Sequence, residues 1–319
     1  MRRPGARRPP EAVPSRTLGG GSEDLLIRPF QLFRFAWGTI LVLSACPAPP
    51  VSSGAILLLD DQGDTTALAA PARRIVSLIP TTTEILFAIE AGDRIIGRTL
   101  WCDYPAAAIS IPSLGDGLQP NTELIVAATP DLVILYRSPQ NAQAAGRLRS
   151  LGIPTIQLRV DRMEDVARAT SLLGLATGLV AQADSLNHLV QAEVTAATRT
   201  RAEAPGIVVL VWDQPPMVIG AGSFLHELIT MVGARNVFED LVLASAPVSL
   251  EAIAARQPDF ILTTGETPGY AERPEWQAVS AVRGRRFLHL SGTEFARPTP
   301  RVGQALARLG RALDSALAP

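Results

Sequence analysis

Two glutamates stand out by what surrounds them. Glu123 lies in Asn121-Thr122-Glu123-Leu124-Ile125-Val126-Ala127-Ala128-Thr129-Pro130-Asp131, and Glu251 lies in Ser249-Leu250-Glu251-Ala252-Ile253-Ala254-Ala255-Arg256-Gln257-Pro258-Asp259. The two segments match at one constant offset. Each offers a helix N-cap residue, a Glu two places later, then Pro-Asp and an apolar run. A carboxylate in the first turn of a helix complements the helix dipole by about 0.3–1 kcal/mol, which accounts for each Glu without a partner. A second chemistry is also open. Repeated units imply two similar lobes, and two lobes present two like charges at a fixed spacing. A dimeric partner with one Arg-lined pocket per subunit reads such a spacing through charge-assisted hydrogen bonds. A weaker echo joins Glu84-Ile85-Leu86, leading to Gly92, with Glu227-Leu228-Ile229, leading to Gly233.

Aromatic residues are only 5% of the chain, so each position is informative. Trp101, Tyr136, Trp212 and Phe295 fall at or just past the ends of predicted strands. Ligands of open α/β sheets bind beyond the carboxyl ends of the strands. These four therefore outline an expected interlobe cleft with flat apolar walls, suited to a large planar or ring-shaped ligand. Each one also suits a plug at the top of its own sheet. Arg297 and Arg301 follow Phe295 and supply cations for acidic or amide groups. Covalent and metal chemistry find less support. No G-x-S-x-G elbow is present. His226-Glu227 lacks the second His of a zinc helix, and His188, His226 and His289 are far apart in the chain. Gly220-Ala221-Gly222 precedes a helix without the third Gly of a dinucleotide loop. Ser223 reads there as an N-cap, with backbone N–H groups facing an anion as the other possibility. No catalytic residue, resident metal or cofactor is expected.

The elements that must position these residues follow from pattern. The chain has 319 residues, 47% hydrophobic and 18% charged, which suits two lobes and excludes a disordered tail. Its 29 basic residues are all Arg and are balanced by 30 acidic ones, so nothing points to nucleic acid. Cys46 and Cys102 are too few for a disulfide framework. A hairpin is predicted over 56–68. Strands at 74–79, 94–97, 132–136 and 155–158 then alternate with helices at 84–90, 124–128 and 142–150, which favours a parallel sheet. Residues 162–178 and 180–203 carry apolar positions at helical spacing, and the second stretch contains neither Gly nor Pro. The alternation resumes with strands at 207–212, 260–263 and 286–290 and helices at 224–232, 250–255 and 303–317. The expected fold is α/β, two Rossmann-like lobes (56–160 and 206–319) bridged by one long rigid helix within 161–205.

Residues 1–45 read as a leader. An apolar run after Arg34 is far shorter than the ~20 residues of a spanning helix and suits an export signal. Leu43-Ser44-Ala45-Cys46 resembles a bacterial lipobox, so Cys46 is the expected lipidation site, with 46–55 as a tether at a membrane surface.

The segments RIVSLIPTTTEILFAI (74–89), GRTLWCDYP (97–105), both Glu-x6-Pro-Asp stretches and 291–301 together resemble the substrate-binding proteins of bacterial ABC importers for iron chelates and vitamin B12. The likeness is closest to periplasmic cobalamin-binding proteins and covers about 56–317. It implies a helical-backbone binding protein of the periplasm or cell surface, not an enzyme, working with a dimeric permease and its ATPase subunits. It maps docking onto Glu123 and Glu251, and a corrin pocket onto Trp101, Tyr136, Trp212 and Phe295. Where that family places a further aromatic, Ala244-Ser245-Ala246-Pro247 stands, which leaves the pocket more open. A ferric siderophore or haem is the alternative ligand. An α/β enzyme acting in the cleft is the alternative of a different class.

Overall fold

A computed structural model describes residues 54–264 and 269–318. The leader, the export signal and Cys46 lie outside the described residues. The chain opens with the hairpin β1 (Ile56–Leu59) and β2 (Thr65–Leu68). The first lobe follows as β3 (Ile75–Ser77), α1 (Pro80–Ala88), β4 (Ile95–Arg98), α2 (Thr122–Ala127), β5 (Leu132–Tyr136), α3 (Pro139–Ser150) and β6 (Thr155–Leu158). Its four strands are all parallel, in the order β4-β3-β5-β6. Leu132 through Leu135 are wholly buried, as a strand covered on both faces must be. Helix α1 begins four residues earlier than the predicted 84–90, because Pro80 occupies its first turn, where a missing N–H costs nothing.

Two helices then connect the lobes, α4 (Met163–Thr177) and α5 (Val180–Ala197). Gly178 separates them in the left-handed conformation, with φ at 72°. Helix α5 stops at Ala197 rather than at 203, so it spans about 27 Å at 1.5 Å per residue. It is the crossing element. Ala183 and Leu186 pack into the first lobe's core, whereas Val190, Val194 and Ala197 pack into the second's. Helix α4 lies against it so closely that a Cβ on Gly174 would sit 2.5 Å from the Ala183 Cβ.

The second lobe runs β7 (Gly206–Asp213), β8 (Pro216–Ile219), α6 (Phe224–Met231), β9 (Arg235–Asn236), β10 (Ser245–Pro247), α7 (Leu250–Ala255), β11 (Phe260–Thr263), α8 (Ser280–Arg283), β12 (Phe287–His289) and α9 (Val302–Leu317). Its sheet is mixed, unlike the first lobe's. The order is β10-β8-β7-β11-β12, with β9 beside β7, and β8 and β10 are antiparallel to their neighbours. Strand β8 begins on Pro216, directly after Pro215; a residue without an N–H for the ladder gives no local strand signal there. Helices α5, α6 and α9 cover one face of this sheet; α7, α8, Phe238 and Trp276 cover the other.

The internal echo is structural. Asn121 and Ser249 accept bonds from the N–H groups of Leu124 and Ala252, so both cap as expected. Thr129 and Gln257, at matching positions, both take positive φ. Asp131 accepts from the N–H groups of Arg73 and Arg74, just ahead of β3; Asp259 accepts from that of Gly206, at the start of β7. In each lobe the Pro-Asp carboxylate ties the entry of the lobe's first strand to the strand beside it.

The hairpin closes the open edge of β6. Asp60 accepts from the N–H of Gln157 and Asp61 from that of Arg159, leaving fewer donors free for another chain. The Asp60 carboxylate is fully buried, and it also receives the Gln62 and Asp64 N–H groups and the Arg149 guanidinium. Removing one member of such a cluster strands the others. Asp60→Ala is therefore expected to lower unfolding free energy by about 3 kcal/mol in a denaturant titration. A loss below about 1 kcal/mol would show that the hairpin is a decoration.

Candidate functional site

A hollow of about 450 Å³ lies between the lobes. The first lobe contributes Ile79, Pro80 and Thr81 at the start of α1, Tyr136 at the end of β5, and Val160 and Asp161 after β6. The second contributes Gly222, Ser223 and Phe224 at the start of α6, Ala244 after the loop preceding β10, and Ala296, Arg297 and Pro298 ahead of α9. The start of one helix from each lobe thus borders the same space. The Thr81 hydroxyl donates to the Pro298 carbonyl at 2.7 Å, stitching the two walls together. A second hollow, about 440 Å³, runs between Leu118–Pro120 and α3. It is confined to the first lobe and brings no residue from the other, so it is a surface groove.

The hollow is polar at definite points. Arg297 donates from Nη2 to Asp103 Oδ1 at 2.7 Å and to Glu84 Oε1 at 3.3 Å, while its buried Nε has no partner among the described residues. Tyr136 donates to Asp161 Oδ1 at 2.9 Å. Burial, and then that hydrogen bond to a carboxylate, push the Tyr136 phenol up to about 12. Ser223 caps its own helix by accepting from the Leu225 N–H, as expected. Gly220 and Gly222 are required by the loop beside them. A Cβ would fall 2.3 Å from the Leu243 carbonyl oxygen at Gly220 and 2.7 Å from the Ala244 nitrogen at Gly222.

The predicted site residues fare differently. Tyr136 and Arg297 line the hollow. Trp101 and Trp212 are 58% and 62% exposed and are not among its lining residues. Trp101 stands two residues before Asp103, the partner of Arg297, and Trp212 donates to the Gln214 carbonyl. Phe295 is corrected. It is fully buried in the second lobe's core, with Arg308 stacked 5.1 Å from its ring centroid, so its position after β12 serves packing. Cys102 is buried against the hydroxyls of Thr83 and Thr99 at 3.2 Å and does not reach the hollow. Asp161, Thr81 and Asp103 join the site without a strong sequence signal: each follows a strand end, of β6, β3 and β4, and only the last is marked by an aromatic, Trp101.

Glu123 and Glu251 occupy the second positions of α2 and α7, both exposed. Neither forms an ion pair among the described residues. The Glu251 carboxyl is held below its usual range by its own backbone N–H and then by the Ser249 hydroxyl, so it stays charged.

The raised Tyr136 phenol has a definite consequence for pH. The native state favours its neutral form, so its contribution to stability is complete below pH 10. It disappears as pH rises from 10 through about 12. Ultraviolet titration of Asp161→Asn is expected to show one tyrosine ionising earlier than in the parent. Superimposable titrations would remove the Asp161 contribution.

The comparisons agree with this architecture. Residues 75–292 match the model of a periplasmic binding protein family. The chain is 26% identical over 252 residues to YvrC of Bacillus subtilis, named an ABC transporter substrate-binding lipoprotein, covering 76% of this chain and 80% of that one. It is 25% identical over 244 residues to a vitamin B12-binding protein of Vibrio cholerae, covering 75% and 88%. The solved haem-binding protein RhuT of Roseiflexus sp. RS-1 superimposes with a TM-score of 0.69 at 26% identity, covering 77% of this chain and 99% of that one. These relatives are binding proteins, which sets aside the alternative of an enzyme working in the cleft. No helix among the described residues is long and apolar enough to cross a membrane. With its family model spanning both lobes and the crossing helix between them, the chain belongs to the periplasmic binding protein family and is a substrate-binding protein rather than an enzyme.

Proposed function

We propose that this protein captures a corrinoid in the interlobe hollow and hands it to a dimeric ABC permease, held at a membrane surface by a lipid on Cys46. The observation that carries the reading is the lining of the hollow itself. It combines apolar walls, two helix starts and one cation, Arg297, with no His, Cys or Met among its lining residues. Haem with an open axial position calls for a protein ligand, commonly His, Cys, Met or Tyr. Tyr136 is the one such group among the lining residues, and its hydroxyl is already engaged with Asp161. A metal already enclosed by its chelator needs none. That favours a corrinoid first and a ferric siderophore second, over haem. The relative named for vitamin B12 supports a corrinoid as the ligand. Exposed Trp101 and Trp212, with Val242 and Leu243 close in sequence to the Ala244 wall, offer apolar surface beyond the hollow for a ligand too large to be enclosed.

Delivery rests on Glu123 and Glu251. Both are solvent-facing, both sit in first helical turns, and their helices match position for position, as a two-fold permease requires. The lipoprotein relative supports the anchor.

Calorimetry with cyanocobalamin, a ferric hydroxamate and hemin tests the ligand. Cyanocobalamin is expected to bind with a Kd of about 1 µM or tighter, and binding of hemin alone would overturn the order. Arg297→Ala is expected to weaken binding about tenfold, equivalent to ~1.4 kcal/mol. Replacing both Glu123 and Glu251 by Ala is expected to abolish uptake in cells while leaving affinity unchanged. Normal uptake in that double variant would remove the docking role.

A further inference from the structure

The weaker of the two sequence echoes, Glu84 with Glu227, has a counterpart in space. Glu84 lies in α1 of the first lobe, and its side chain is 2% exposed. It receives Arg301 of the second lobe through a two-pronged contact, Nε to Oε2 at 2.8 Å and Nη2 to Oε1 at 2.9 Å. Arg301 directly precedes α9. Its side chain is 12% exposed, its Nη1 also donates to Glu294 Oε2 at 2.9 Å, and it stacks 3.9 Å from the centroid of Tyr104 in the first lobe. Glu227 lies in α6, the matching helix of the second lobe. It receives Arg162 Nε on Oε1 at 2.6 Å and the Met163 N–H on Oε2 at 3.0 Å. Arg162 directly precedes α4, the helix that follows the last strand of the first lobe just as α9 follows the last strand of the second. Arg162 also donates to the Ala221 carbonyl of the second lobe at 2.9 Å.

The arrangement is reciprocal. In each lobe the first helix carries a Glu. In each lobe the helix after the final strand is preceded by an Arg. Each Arg pairs with the Glu of the other lobe. Each pair joins side chains of different lobes. Both pairs border the hollow: Glu84 Oε1 also receives Arg297, a lining residue, and Arg162 directly follows Asp161, another lining residue.

We propose that Glu84 and Glu227 are positioning residues, the two halves of a duplicated cross-lobe latch that sets the width of the cleft and, through Glu84, the aim of Arg297. Beyond helix α5, the two ion pairs tie the lobes at further points, beside the Thr81–Pro298 hydrogen bond and the Arg297–Asp103 pair, and so restrain interlobe motion. The two halves differ in burial. The Glu84 half is enclosed and held by several partners, whereas Arg162 and Glu227 are partly exposed, so the first anchors the lobes and the second adjusts them.

The test needs neither ligand nor permease, so a wrong ligand assignment leaves it standing. Spin labels are placed at Ala127→Cys and Ala255→Cys, the exposed last residues of α2 and α7, in a Cys46→Ser full-length chain; Cys102 is wholly buried and stays unlabelled. Pulsed dipolar spectroscopy reads the interlobe distance distribution, and far-ultraviolet circular dichroism confirms folding. Glu84→Gln is expected to broaden the distribution about twofold, Glu227→Gln less, and the double variant most. Arg301→Lys, which keeps the charge and loses the fork, is expected to fall between the parent and Glu84→Gln. A folded double variant with the parent's distribution overturns the latch. If Glu84→Gln fails to fold, Glu227→Gln and Arg301→Lys decide: broadening supports the proposal, and unchanged distributions overturn it.

Discussion

A carboxylate withdrawn from water is costly to leave alone and tolerable between guanidinium groups. Glu84 is in that position, between Arg301 and Arg297, where the two lobes meet. Much of the cleft depends on it. Arg301 is raised above its usual range: burial opposes its charge, and Glu84, then Glu294, outweigh that. The same carboxylate holds Arg297 at the cleft wall, and Asp103 shares that Arg with the loop carrying Trp101. One buried charge thus organises cation, wall and rim.

The second constraint is the crossing helix. Helix α5 belongs to both cores, with Ala183 in one and Val194 in the other. Each lobe buries apolar surface against it, so neither can separate without exposing that surface. Its neighbours on either side are α4 and α9, one from each lobe, and the arginines that precede them both point across the gap. The connection between lobes is therefore a rod with a tie on each side, formed by repeating one unit.

Much of this was legible in the chain. The runs 132–136 and 260–263 became β5 and β11 at their predicted bounds, because continuous apolar stretches bounded by Pro-Asp have few other uses. The paired Asn121 and Ser249 became N-caps because a side-chain oxygen before a helix acts within three residues of itself. The less legible parts needed partners remote in sequence. Strand β8 exists by pairing with β7 and β10, and nothing local announces it. Phe295 looked like a ligand contact because it follows a strand, yet its ring turned into the core beneath Arg308. An address at a strand end does not state on which side of the sheet a ring will lie.

What the sequence determined by itself was periodicity and duplication: where apolar runs fall, which helices cap, and that one unit occurs twice. These are short-range properties, decided by residues within a turn or a strand of one another. Only the tertiary structure decided that Glu84 answers Arg301 and Glu227 answers Arg162, and that Tyr136 and Arg297 border one hollow. Those pairings join residues far apart in the chain, 217 positions in the case of Glu84 and Arg301. Charge and size leave many such matches open, and packing of both lobes on α5 selects among them.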